Sequence, residues 1–219
     1  MDLEKFRNDV YEMTEKLSKN LKENDRSKLN YVCQQLIEMY KKNLVKINHS
    51  VLELICASNL ILRGYSVEVE KSVSDILVCD IYAKKGGGYA IIEIETGFTP
   101  PDHAMDTVDY YAARIMSKIA RYSQHCSKFS LATPVMGILP IPKIFLLPPN
   151  ARKKEDVDKV KELCDRYYKN PPIKYEDILN AHLHSIYLIN IDKGFAKELD
   201  PQGYVDLTQS LLERSEIEY

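Results

Sequence analysis

The spacing of apolar and polar residues changes period several times along the chain, and each change marks an element. In residues 1–47, Leu3, Phe6, Val10, Met13 and Leu17 recur at intervals of three and four. After a break at 24–27 the rhythm returns at Leu29, Val32, Leu36 and Met39. This predicts two amphipathic helices, or one interrupted helix, with a narrow apolar seam. The seam either packs on its own chain or joins a second copy as a homodimer. Residues 48–64 are apolar nearly all round, from Val51 to Leu62, so they predict a buried helix. Ser50 reads as its N-cap, and Gly64 follows its last turn. Residues 65–70 alternate as a strand with one solvent-facing side.

A hairpin follows. Val78, Ile81 and Tyr82 fit one strand, the run from Lys84 to Gly88 supplies the turn, and 89–96 the second strand. On that strand Ile92 and Ile94 point one way and Glu93 and Glu95 the other. A helix is predicted over 106–126, with Ile115, Ile119, Tyr122 and Cys126 as its core stripe. Short strands are predicted at 129–133 and 143–147, a charged helix at 151–170 and another helix at 175–183. A strand at 185–191 and a polar tail with a last helix at 206–215 complete the chain. The fold class is therefore α/β, a mixed sheet flanked by helices. Its parts are a helical extension (1–47), a core (48–150) and a C-terminal extension packed on that core (151–219).

Composition narrows the setting. The 219 residues are 45% hydrophobic, enough for one sizeable core. A net charge of −2 gives no global sign of nucleic-acid binding. Five cysteines without a CxxC pair fit reduced thiols in a cytoplasmic protein, not a disulfide framework or a zinc site. No apolar run approaches the ~20 residues of a membrane span, so no membrane association is expected.

Local charge says more. The hairpin brings Asp80 beside Glu93 and Glu95, and three carboxylates in an apolar setting are costly without compensation. Such clusters hold a divalent cation with hard oxygen ligands, magnesium or manganese. Glu53 has two readings. Ser50-x-x-Glu53 spells a capping box; the other reading, a place beside a metal for a Glu on the helix just before the sheet, is one that a family resemblance implies. Arg114, Lys118, Arg121 and His125 form a basic stripe about 100° from the core stripe of their helix. They are either a solvated face or phosphate contacts. No acid occurs between Asp109 and Glu155, whereas no Lys or Arg occurs between Lys85 and Arg114.

Asp80, thirteen intervening steps to Glu93, and Glu-x-Glu on the second strand resemble the core motif of the PD-(D/E)XK nuclease superfamily. The superfamily includes restriction-endonuclease-like enzymes. Cys79 stands where the motif has proline, and Glu95 where it usually has lysine. The resemblance covers roughly residues 48–148. It implies a restriction-endonuclease-like sheet, with Asp80, Glu93, Glu53 and the carbonyl of Ile94 around magnesium or manganese. It also implies phosphodiester hydrolysis, with DNA as the commonest substrate. Glu95 would then act through its carboxylate, and Lys118 would supply the missing positive charge. Arg114, Lys118 and Arg121, with Lys84 and Lys85 at the hairpin turn, are the expected nucleic-acid contacts. The lysine replaced by Glu95 leaves open an inactive nuclease-like module that binds DNA or protein.

Overall fold

The computed structural model describes residues 3–19 and 21–217; the first two residues of the predicted N-terminal helix and Asn20 fall outside them. Helices α1 (Leu3–Ser18) and α2 (Glu23–Lys41) lead into α3 (Ile47–Leu62). Strands β1 (Ser66–Ser72), β2 (Val78–Lys85) and β3 (Gly88–Ile94) then form an antiparallel meander. Gly86, at φ 60°, takes the left-handed conformation needed to turn between the last two. Helix α4 (Thr107–Tyr122) crosses to β4 (Lys128–Pro134), which runs parallel to β3. Helices α5 (Lys154–Tyr167) and α6 (Tyr175–Asn180) cross to β5 (Ser185–Asn190), parallel to β4. Strand β6 (Phe195–Leu199) returns antiparallel, and α7 (Pro201–Ile217) ends the described chain. The described strands form one mixed sheet in the order β1 to β6, flanked by helices, with the N-terminal helices the sequence led us to expect.

Strand alternation sorts the side chains into two cores. Ala90, Ile92 and Ile94 of β3 join α1, α2 and α3 on one face, and Ile91 joins α4, α5 and α6 on the other. With both faces covered, β3 is buried along nearly its whole length. The N-terminal seam lies inside the first core. Phe6, Val10, Leu29, Val32 and Leu36 are fully buried, and Phe6 stacks on Tyr40 with ring centroids 3.8 Å apart. The apolar stripe that suggested a homodimer is thus covered by its own chain.

Three local expectations are corrected. Residues 143–147 are not a strand but a 3₁₀ turn at Lys143–Leu146. Prolines 140, 142, 148 and 149 flank it and cannot donate ladder bonds, and β5 already occupies the free edge of β4. The capping box is absent as well. Helix α3 starts at Ile47, and the Ser50 N–H already donates to the Lys46 carbonyl at 3.0 Å, so Glu53 lies inside the helix. Strand β6 was taken for polar tail, because Ala196 is its one buried residue.

Phe6→Ala should cost about 3–5 kcal/mol of folding stability in urea unfolding, the scale of a deleted buried aromatic. Sedimentation should be unchanged. Dissociation of a larger species at unchanged stability would instead make the seam an interface between copies.

Candidate metal centre

The centre is built where the ladder between β2 and β3 opens. Pairing runs from Lys85 and Gly88 to Ile81 and Ile92 and stops short of Asp80 and Glu93. Side chains replace the missing bonds. The Ile94 N–H donates to Asp80 Oδ2 at 2.6 Å, and the Asp80 N–H donates to Glu93 Oε1 at 3.1 Å. On the other side of β2, pairing with β1 skips Glu70, the residue opposite Asp80, whose φ is +49°. A non-glycine residue in that region costs about 1 kcal/mol or more, so the surrounding packing must hold it. Cys79 packs in the α4-side core although Ile81 packs in the other. The alternation of β2 therefore breaks at Asp80 and turns its carboxylate toward α3.

From α3, His49 and Glu53 meet it one helical turn apart. His49 Nε2 lies 3.3 Å from Asp80 Oδ1 and 3.6 Å from Glu53 Oε1. One ligand atom from each of these residues lies within 4.8 Å of the other two, so the three could hold a metal ion. The chemistry of Glu53 supports the fit. It is 0% exposed, and neither carboxylate oxygen has a hydrogen-bond donor. A buried carboxylate in that position needs a cation or a proton. Burial, then Asp80 and Glu70, push the Glu53 carboxyl well above its ordinary range, and the Glu70 carboxyl is close enough to share its proton. Burial and Asp80 raise Glu70 as well.

Helix α4 closes the other side. Lys118 Nζ lies 2.9 Å from Glu93 Oε2, 2.8 Å from Glu95 Oε1 and 3.9 Å from Asp80 Oδ2. Arg114 pairs with the other Glu95 oxygen at 3.1 Å. Burial disfavours the Lys118 ammonium, but Glu93, Asp80 and Glu95 outweigh it and hold its pKa well above the ordinary value. Burial also disfavours charge on Asp80; Lys118, His49 and the Ile94 N–H overcome that and keep it below its ordinary value. Burial and then Asp80 push Glu93 up to about 8. Burial opposes charge on His49, yet the Asp80 hydrogen bond and charge raise it overall. Charge thus settles on Asp80 and Lys118, while the site's surplus protons reside on Glu53 and Glu93.

Six residues singled out from sequence come together here: Glu53, Asp80, Glu93, Glu95, Arg114 and Lys118. Ile94 enters through its N–H. Glu93 is near the metal-ligand group but not within it, since its oxygens serve the Asp80 N–H and Lys118. Three expected nucleic-acid contacts lie apart. Lys85 donates to the Arg63 carbonyl at 2.7 Å, and Lys84 sits over the Tyr89 ring at the far end of the hairpin. Arg121 donates to the Pro171 carbonyl at 2.7 Å. His49 and Glu70 were missed. His49 was legible as the i, i+4 neighbour of Glu53; no sequence signal marked the backbone turn at Glu70. No family model, no curated protein and no solved structure matches the chain. Among the described residues no helix is long and apolar enough to cross a membrane.

Manganese or magnesium at a hundredfold excess over its Kd should raise the melting temperature by about 5–10 °C. Asp80→Ala and Glu53→Gln should each remove that shift; a shift surviving both would place the ion elsewhere.

In the metal-free protein, stability should fall as pH rises from 5 to 8. Glu93 titrates near 8 in the fold and at an ordinary carboxyl value when unfolded, so the native state binds the extra proton in that window. Glu93→Gln should flatten the dependence by about one proton, read from urea midpoints across pH. An unchanged slope would show that Glu93 is ionised throughout.

Proposed function

We propose that the chain is a metal-dependent nuclease of restriction-endonuclease-like architecture, hydrolysing phosphodiester bonds with DNA as its substrate. The observation that carries this reading is Lys118. Its ammonium reaches Glu93 and Glu95 from α4, supplying the positive charge that the resembled motif draws from the residue Glu95 replaces. The order of helix, strand and hairpin from α3 to β3 is the one the resemblance requires, and it supports the same reading.

Asp80 and Glu53, with His49, would hold a magnesium or manganese ion; Glu93 supports Asp80 through its backbone N–H. Bound there, the ion supplies acidification of water and neutralisation of charge on the phosphoryl group. The protein's own residues do the rest. Glu95 is the proposed proton acceptor, aimed by Arg114 on one oxygen and Lys118 on the other. Lys118 donates toward a phosphate oxygen on which negative charge grows, and the low local dielectric strengthens that interaction. The side chains of His49, Asp80 and Lys118, exposed by 28%, 15% and 22%, form the mouth through which a phosphate would approach.

A second reading, an inactive nuclease-like module that binds DNA or protein, is favoured by the pairing of both Glu95 oxygens. Cleavage of labelled DNA and RNA with magnesium or manganese separates the two. The nuclease should lose ~10²-fold or more of its rate in Glu95→Gln and in Lys118→Met, with nucleic-acid binding retained. If the wild type cleaves neither polymer with either ion, the binding module replaces it.

A further inference from the structure

We propose that this centre takes a single divalent cation, between His49, Glu53 and Asp80, and that the Lys118 ammonium holds the place of a second. The inference rests on reading these residues as a metal centre, and not on cleavage. Ligand atoms within 4.8 Å of one another suit one ion at bonds of roughly 2.0–2.6 Å. The fully buried carboxyl of Glu53, which no hydrogen-bond donor of another residue satisfies, is a separate sign that a cation, or a proton that a cation would displace, belongs there.

Sites with two ions place them roughly 3.5–4 Å apart. Asp80 is set to bridge such a pair, with Oδ1 facing His49 and Oδ2 facing Lys118. What lies on the second side is an ammonium, surrounded by oxygens of Asp80, Glu93 and Glu95 that would otherwise form a second cation shell. Two of its three donors reach Glu93 and Glu95, at 2.9 and 2.8 Å, and Asp80 lies 3.9 Å away. It is also tethered. Helix α4 is anchored by Ile115 and Ile119, both fully buried, so the charge cannot exchange with solution as a free ion does. An imidazole beside two carboxylates is a borderline donor set, better matched to manganese than to magnesium, which prefers oxygen alone.

Calorimetric titration of the full chain with manganese alone, without nucleic acid, tests this. The wild type should bind one equivalent, and magnesium more weakly. Lys118→Met should bind two, Lys118→Arg one, and His49→Gln should weaken the single site by about tenfold or more. Two equivalents in the wild type overturn the inference, as does one equivalent in a Lys118→Met protein with native circular dichroism. Unchanged manganese affinity in His49→Gln, or equal affinity for the two ions, removes the imidazole from the ligand set. If Lys118→Met does not fold, Lys118→Met with Glu95→Gln has one carboxylate fewer to compensate and reads the same count. A chain that cleaves nucleic acid while binding two manganese ions keeps the nuclease and loses this centre. One that binds a single ion and cleaves nothing does the reverse.

Discussion

The ammonium of Lys118 among three carboxylates is the interaction on which the middle of this molecule depends. Glu53, Glu70, Asp80, Glu93 and Glu95 crowd one region, and among the described residues Lys118, Arg114 and His49 answer them there. In a poorly solvated interior each unpaired charge is expensive, so such a group persists only when cations and protons nearly balance it. Lys118 does the largest share, because it touches acids from both β2 and β3. Truncating it would leave carboxylates that must take up protons or draw in a cation.

That balance also explains the shape of the sheet. A regular ladder would pair Asp80 with Glu93 and send both carboxylates to the α4 face, away from His49 and Glu53 of α3. Opening the ladder by one pair lets two carboxylates accept backbone N–H groups, which keeps the buried amides satisfied and brings α3 and α4 to one spot. The distortion at Glu70 belongs to the same opening. It is held from both sides: Ile81 and Ile92 below it are buried against α3, and Cys79 against the α4 layer.

Much of this was legible in the sequence, for identifiable reasons. Ile92 and Ile94 alternate with Glu93 and Glu95, and a period of two fixes the faces once the hairpin turn is set. Lys118 was placed by helix phase alone, since Ile115 and Ile119 define the buried stripe next to it. What was lost was lost to competing local signals. Ser50 and Glu53 spell a capping box, but the helix begins a turn earlier, which frees Glu53 to face the acids. The apolar run at 143–147 looks like a strand until the sheet edge it would need proves to be taken by β5. The stripe through Arg121 was read as one surface; in three dimensions Arg114 and Lys118 turn to the acid cluster while Arg121 goes to the Pro171 loop.

An excess of acids around the mouth has a consequence for any anionic substrate. Without a cation, a phosphate approaching His49, Asp80 and Lys118 meets a region whose lysine and arginine are already engaged by carboxylates. Like charges at such distances repel, and the partly buried setting screens them little. A divalent ion held between His49, Glu53 and Asp80 would add positive charge there and would displace the Glu53 proton as it bound. Ion and phosphate would therefore favour each other's binding, and reciprocity would require the same coupling in both directions. In the nuclease we propose, the cation is thus part of substrate recognition as well as of chemistry. Lys118, fixed in place by the acids on either side, sets how much negative charge remains for the ion to offset.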